Sequence, residues 1–220
     1  MNYVFQFGTV WREWPLLLDG LLLTIQLSIT AMVLGLGVGI ACAAGSVYGN
    51  AMLRAIIRCY VEIIRNTPFL VQLFMIFLGL PALGVRLSPD QAASLALTVN
   101  VGAYAAEIIR AGIESVPRGQ TEAGLALGLS RFQIFRLVVI KQALAAVFPA
   151  LSSQFILLML GTSVVSAIAS EELTATANSI QSRTFRAFEI YFVVTLIYLG
   201  LALVFREAFR FVYSRWVKRA

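Results

Sequence analysis

Glu122-Ala123-Gly124-Leu125-Ala126-Leu127-Gly128 is the stretch on which the reading of this chain turns. It lies in a basic, polar interval, about residues 118–136, between two membrane-length apolar segments. A connector of that kind ordinarily reads as loop. This one alternates small and apolar residues behind a single acid, which suits a short helix that presents one face to another protein. Small Ala123, Gly124 and Ala126 let such a helix sink into a groove, and Leu125 and Leu127 supply apolar anchors. Glu122 is expected near the helix start, where the positive end of the backbone dipole favours an acid and where it can meet a basic partner residue. Gly128 is expected to end the helix and turn the chain.

The flanking sequence is dominated by apolar residues. Of 220 residues, 60% are hydrophobic and 13% charged, against about 25% charged in a soluble domain. Mean hydropathy is +0.86. Lipid, not water, is the main solvent of such a chain. Five apolar segments stand out: residues 16–46, 67–85 (with an amphipathic lead-in from 51), 91–109, 143–168 and 187–205. Each comes close to the roughly 20 helical residues that cross about 30 Å of hydrocarbon. They do not alternate apolar and polar positions, which excludes a β-barrel. The expected fold is an all-α membrane protein with five transmembrane helices and no separate soluble domain. The first run is too long for a signal-peptide core. Its Gly35, Gly37, Gly39 and Ala41-Cys42-Ala43-Ala44 read as small residues for helix packing.

The formal charge is +6. On a soluble protein that would suggest nucleic acid; here the cations mark cytoplasmic loops, and no nucleic-acid partner is expected. Thirteen Lys and Arg fall on one side: Arg54, Arg58 and Arg65; five from Arg110 to Lys141; five from Arg206 to Arg219. Arg12, Arg86, Arg183 and Arg186 fall on the other. The N-terminus is therefore expected outside, the C-terminus inside, and the Glu122 loop in the cytoplasm. Histidine is absent and Cys42 and Cys59 are the only cysteines, so neither a transition-metal site nor a disulfide is expected.

Arg54, Arg58, Glu62 and Arg65 recur every three or four residues as one polar helical stripe, along which Arg58, Glu62 and Arg65 can pair. It serves either a solvated boundary or a subunit interface. Asn66-Thr67-Pro68 then interrupts the helix. Broken backbone at membrane depth is tolerated only where protein or a cavity covers it, so the break points toward a transport pathway. Glu107 and Arg110, three apart at the end of the third span, can pair. Glu171 and Glu172 read as an exposed acid pair on the outer side, either solvated or meeting a substrate-binding protein. No Gly-x-x-x-x-Gly-Lys-Ser/Thr sequence occurs, so this chain is not expected to hydrolyse ATP.

Three stretches in order carry a resemblance. Tyr104 to Ile113 leads into Arg118 to Ser130, which resembles the EAA loop of permease subunits of bacterial polar amino acid ABC importers. Arg65-Asn66-Thr67-Pro68-Phe69-Leu70-Val71-Gln72-Leu73 resembles that family's second-helix signature, and Gly161 to Ser166 followed by Glu172-Leu173 resembles its fourth-helix exit. The likeness runs from about residue 18 to 210. Gly124 stands where the family usually has a second Ala, Ile140-Lys141 where Leu-Pro is common, and Leu160-Gly161 where many relatives carry Lys and Asp.

The resemblance implies the type I ABC importer permease fold, periplasmic N-terminus and cytoplasmic C-terminus included, in the bacterial inner membrane. It implies a transporter subunit rather than an enzyme, with no cofactor of its own and ATP on a partner. The implied partners are an ABC ATPase homodimer, a second permease copy (identical or a sister), a periplasmic amino-acid-binding protein and membrane lipids. Coupling to the ATPase would fall to Glu122, Ala123, Gly124, Leu125, Leu127 and Gly128. The substrate path would draw on Thr67, Leu70, Asn100, Tyr104, Thr162 and Ser163. Hydroxyls, an amide and carbonyls at a broken helix offer donors for a carboxylate and acceptors for an ammonium. Interhelical hydrogen bonding is the competing role for each of these residues. A free-standing channel or carrier is the alternative; no selectivity filter or charge ring is evident, and no convergent His or carboxylates suggest a membrane enzyme.

Overall fold

In lipid the backbone must satisfy its own hydrogen bonds, and the apolar runs do so as helices. The computed structural model describes residues 4–217; Lys218 and Arg219, two of the cations counted above, lie outside the described residues. A short α1 (Gly8–Arg12) leads into α2 (Trp14–Tyr48), with Pro15 in its first turn. Helix α3 (Ala51–Arg65) is capped by Asn50, whose side chain accepts from Leu53 N–H at 2.8 Å. Helix α4 (Phe69–Ala82) follows the Pro68 break. Helix α5 (Pro89–Glu114) opens on a reciprocal Ser88–Gln91 capping box. The connector forms α6 (Arg118–Ala126) and α7 (Arg131–Ile134). A π-helical stretch, Phe135–Val139, runs into α8 (Ile140–Gly161) and a 3-10 stretch, Thr162–Ile168. Helices α9 (Leu173–Thr184) and α10 (Ala187–Val212) close the fold.

No strand occurs among the described residues. Four helical rods are long and apolar enough to cross a membrane: Trp14–Val47, Pro89–Glu114, Arg131–Ile168 and Ala187–Arg215. Helices α3 and α4 make a fifth crossing only as a pair, bent by 109°. The five-span, all-helical expectation holds, with one crossing broken. The bend at Pro68 lays α3 nearly perpendicular to α4. Ile57 and Val61 of α3 are buried beside Ala106 of α5, while Arg54 and Arg58 are exposed.

Helix α5 is the hub because its face is small. Ala92, Ala93, Ala96, Ala103 and Ala105 are buried and let neighbours approach closely. Gly35 and Gly39 of α2 rest on it: a Cβ added there would lie 2.1 Å from Val101 Cγ1 and 2.5 Å from Ala105 Cβ. The opposite face of α2, including Leu22, Val33 and Ile40, is exposed, as a lipid-facing surface should be. A second core joins Leu17 of α2, Leu173, Ala177 and Ile180 of α9, and Ile190 of α10.

That second core corrects the reading of Glu171 and Glu172 as an exposed pair. Glu171 is exposed, but Glu172 has no exposed surface. It caps α9, accepting from Thr174 N–H and Ala175 N–H at 2.9 Å and from the Tyr198 hydroxyl at 2.7 Å. Thr24 of α2 reinforces the joint by accepting from Leu173 N–H at 3.1 Å. An acid so held ties three helices together instead of facing water.

Candidate functional site

Two places concentrate polar chemistry, and the break between α3 and α4 is the first. A helix end leaves its last carbonyls without backbone partners. Gln72, the only polar side chain of α4 apart from the backbone, turns back to meet them. Its Nε2 donates to Ile64 O at 2.7 Å, to Thr67 O at 3.0 Å and to Thr67 Oγ1 at 2.9 Å. Its Oε1 accepts from Asn100 Nδ2 on α5 at 2.9 Å. One amide thereby fills the gap in the backbone and fastens it to the hub.

An ionic cluster lies beside this network. Arg110 makes a two-pronged bond to Glu107, at 2.9 and 2.6 Å, and reaches Glu114 at 2.6 Å. Arg65 lies 3.6 Å from the same Glu107 and 5.6 Å above the Tyr104 ring centre. The expected Glu107–Arg110 pair is present. The pairing along Arg58, Glu62 and Arg65 is not among the described ion pairs: Glu62 accepts from Asn66 Nδ2 at 3.1 Å, and Arg65 turns to α5.

Of the substrate-path candidates, the structure brings Thr67, Asn100 and Tyr104 together around Gln72 and Arg65. Leu70 lies in the first turn of α4 and is exposed. Thr162 is fully buried and donates to Met159 O at 2.7 Å; Ser163 donates to Leu160 O at 2.8 Å. Neither joins the cluster by a hydrogen bond among the described residues, because the last carbonyls of α8 take up both hydroxyls. Gln72 was missed by sequence reasoning, although a lone amide in an otherwise apolar helix just after a break was the available signal.

The second place is the connector. Helix α6 starts at Arg118, after Pro117, so Glu122 falls in the second turn. The expectation of Glu122 at the helix start is corrected: no acid occupies the first turn, and the dipole does not explain it. The end is as the sequence suggests. Gly128 adopts φ +77°, the left-handed conformation, and the chain closes with Leu129 N–H on Gly124 O (3.1 Å) and Gly128 N–H on Leu125 O (2.9 Å). Ser130 and Gln133 then form a capping box that starts α7.

Gly124 faces inward, not toward a partner. A Cβ there would lie 2.7 Å from Ile134 Cγ1, so the glycine seats α6 on its own chain. What α6 and α7 present outward is Leu125, Leu127 (81% exposed) and Phe132 (71% exposed), with exposed Ala123 and a Glu122 that has no ion pair among the described residues. Apolar side chains so exposed on a polar connector mark a contact surface. Phe132 was not singled out from sequence.

A bundle of lipid-length helices with a broken, polar-lined span, and between two spans a short helix with exposed apolar side chains, is the build of a membrane transport subunit. Residues 35–218 match the family of binding-protein-dependent transport system inner membrane components. The glutamine transport system permease protein of Escherichia coli strain K12 is 35% identical over 202 residues, covering 91% of this chain and 92% of that protein. The L-cystine transport system permease protein of Bacillus subtilis strain 168 is 40% identical over 186 residues, covering 84% and 80%. A crystal structure of an amino acid ABC transporter with histidines superposes with a TM-score of 0.90 at 35% identity, covering 99% of this chain and 100% of that one. The chain belongs to the family of binding-protein-dependent transport system inner membrane components. It is an inner-membrane ABC importer permease subunit, not an enzyme, and works with an ATPase and a substrate-binding protein.

Proposed function

We propose that this subunit forms half of the membrane path for a polar amino acid or an amino-acid derivative. The observation that carries this reading is the Thr67–Gln72–Asn100 network at the broken span, with Arg65, Tyr104 and Glu107 beside it. A zwitterion needs donors for its carboxylate and acceptors for its ammonium, and amides, a hydroxyl and helix-end carbonyls offer both without a buried unpaired charge. The glutamine and cystine named for the relatives above fall in the same chemical class. The path needs two permease copies, identical or sister, on an ABC ATPase homodimer.

The excess of cations on the α6 side supports a cytoplasmic α6 and C-terminus and a periplasmic N-terminus. Glu122, Ala123 and Leu125 of α6, Leu127 just past its end and Phe132 of α7 form the surface that enters a groove of the ATPase. Gly124 and Gly128 hold that surface in shape. The periplasmic binding protein delivers substrate at the opposite face, where Asp19, Asp90, Glu171 and Arg183 line a cavity of about 760 Å³.

The test is uptake in proteoliposomes containing the assembled importer. Asn100→Ala weakens transport affinity and leaves basal ATP hydrolysis in place; unchanged affinity and specificity would reduce the network to helix packing. Glu122→Lys or Gly128→Val uncouples hydrolysis from uptake at normal membrane levels. Uptake by the chain without any ATPase would overturn the assignment in favour of a free-standing channel or carrier.

A further inference from the structure

A cavity of about 550 Å³ lies between α2, α5, α8 and α10, on the α6 side of the molecule and apart from the polar cluster. Its wall is hydrocarbon, with Ile40, Val47, Ile113, Leu144, Val147 and Phe209 among the lining residues. The one hydroxyl on the wall, Ser152, donates to Phe148 O of its own helix at 2.8 Å. Nothing on that wall is left to recognise a polar solute.

Shape and charge narrow the occupant. Along α8 the lining runs from Ile140 to Phe155, about 22 Å at 1.5 Å per residue. An apolar slot elongated in this way matches a hydrocarbon chain lying along it.

Lys141 stands on the same stripe of α8 as the lining residues Leu144, Phe148 and Ser152, at the mouth. Helical side chains lean toward the N-terminus, which carries its ammonium away from the cavity and toward the headgroups. Arg136 follows Phe135, also on the wall. Of the other cations on this side, Arg110 is engaged by Glu107 and Glu114, and Arg206 and Arg210 by Glu207; Arg215, beside Tyr213 that packs on Phe148, is exposed and has no ion pair among the described residues. Arg136 and Lys141 are exposed, and neither has an ion pair among the described residues.

We propose that this cavity holds an acyl chain of an anionic phospholipid from the α6-side leaflet, with its phosphate on Lys141 and Arg136. Uncharged wall and unpaired cations at its mouth match the two halves of one such molecule.

The test uses the full-length chain with the subunits it retains, purified in detergent and stripped of lipid. Palmitoyl-oleoyl phosphatidylglycerol, or the phosphatidylcholine with the same chains, is titrated in, and bound lipid is counted by native mass spectrometry. Wild type retains one phosphatidylglycerol per chain, preferred by about 30-fold, since each of two cations adds about 1 kcal/mol of attraction. The Arg136→Gln/Lys141→Gln double variant, at exposed positions, loses that preference. Ala44→Trp, on an exposed part of the wall, excludes both lipids at an unchanged unfolding temperature. Equal retention of the two lipids by wild type and the double variant overturns the headgroup assignment. Lipid retained by folded Ala44→Trp overturns the cavity assignment. Ala44→Cys in a Cys42→Ser/Cys59→Ser background that cross-links to a neighbouring subunit, with no lipid bound, shows that protein covers the cavity and overturns both.

Discussion

Gln72→Glu is the most informative single change in this protein, because it alters hydrogen-bonding sense with almost no change of shape. In the native fold the Gln72 NH2 group serves three oxygens, Ile64 O, Thr67 O and Thr67 Oγ1, at 2.7, 3.0 and 2.9 Å. A carboxylate in its place faces two carbonyl oxygens with no proton to offer. The Thr67 hydroxyl could rotate to donate to it, but only by giving up its bond to Ile63 O at 2.8 Å. The bond from Asn100 survives, since a carboxylate still accepts. Ile64 is half-buried and Thr67 exposed, so each carbonyl left without its partner costs about 1 kcal/mol, the low end for an orphaned acceptor, and about 2 kcal/mol in all. For a chain of this size that lowers the unfolding temperature by about 4–8 °C. Thermal unfolding in detergent measures the loss, and the distance between spin labels on α3 and α4 reports whether the 109° bend opens. Gln72→Met withdraws the same donor and strands Asn100 Nδ2 as well, so it costs at least about as much as Gln72→Glu if the carbonyls govern the break. A Gln72→Glu protein with native stability and a native bend would refute the reasoning and assign the break to the Arg65–Glu107 pair instead.

Gly124→Ala gains about 1 kcal/mol of helix propensity but meets Ile134 Cγ1, and overpacking of about 1–3 kcal/mol outweighs it. Adding Ile134→Ala removes that contact, so a double-mutant cycle on unfolding temperature shows positive coupling; additive effects would rule out the contact. Glu107→Gln releases Arg65 and Arg110, yet all three side chains are partly exposed, so stability falls by no more than about 1 kcal/mol. A larger loss in thermal unfolding contradicts this. Glu172→Ala strips the cap of α9 and leaves two backbone donors behind, costing about 3 kcal/mol, while Tyr198→Phe costs about 1 kcal/mol; equal effects would contradict the cap. Burial pushes the Glu172 carboxyl up against the pull of its donors. The folded state thus keeps a proton that the unfolded chain releases, and stability from this group falls as pH rises above about 4.3. Glu172→Gln removes that slope in unfolding temperature, and an unchanged slope sinks the assignment.

The spans were legible because an apolar run long enough to cross lipid has few other fates. The break was legible because Pro68 cannot continue a helix in the usual way. What fills the break was not, since a side chain that turns back on the chain leaves no periodicity. Glu172 looked like half of an exposed acid pair because its partners, Thr24 and Tyr198, lie far away in sequence. Around α6 the stop at Gly128 showed in composition, whereas the start was placed late: Pro117 was a start signal that Glu122 overshadowed. The inward turn of Gly124 depends on Ile134, beyond the next turn of chain, and no local pattern announces it.

The 35 residues of α2 measure about 52 Å end to end. A bilayer is about 30 Å thick in its hydrocarbon and about 40–45 Å with headgroups. Upright, this helix would push apolar side chains into water. A lean of about 40°, at the upper end of what transmembrane helices adopt, would bring its span along the membrane normal to about 40 Å. With Gly35 and Gly39 seated on α5, the lean cannot relax without sliding the hub. Membrane thickness is therefore a mechanical input to this subunit: a thinner bilayer presses α2 flatter against α5, and a thicker one draws it upright.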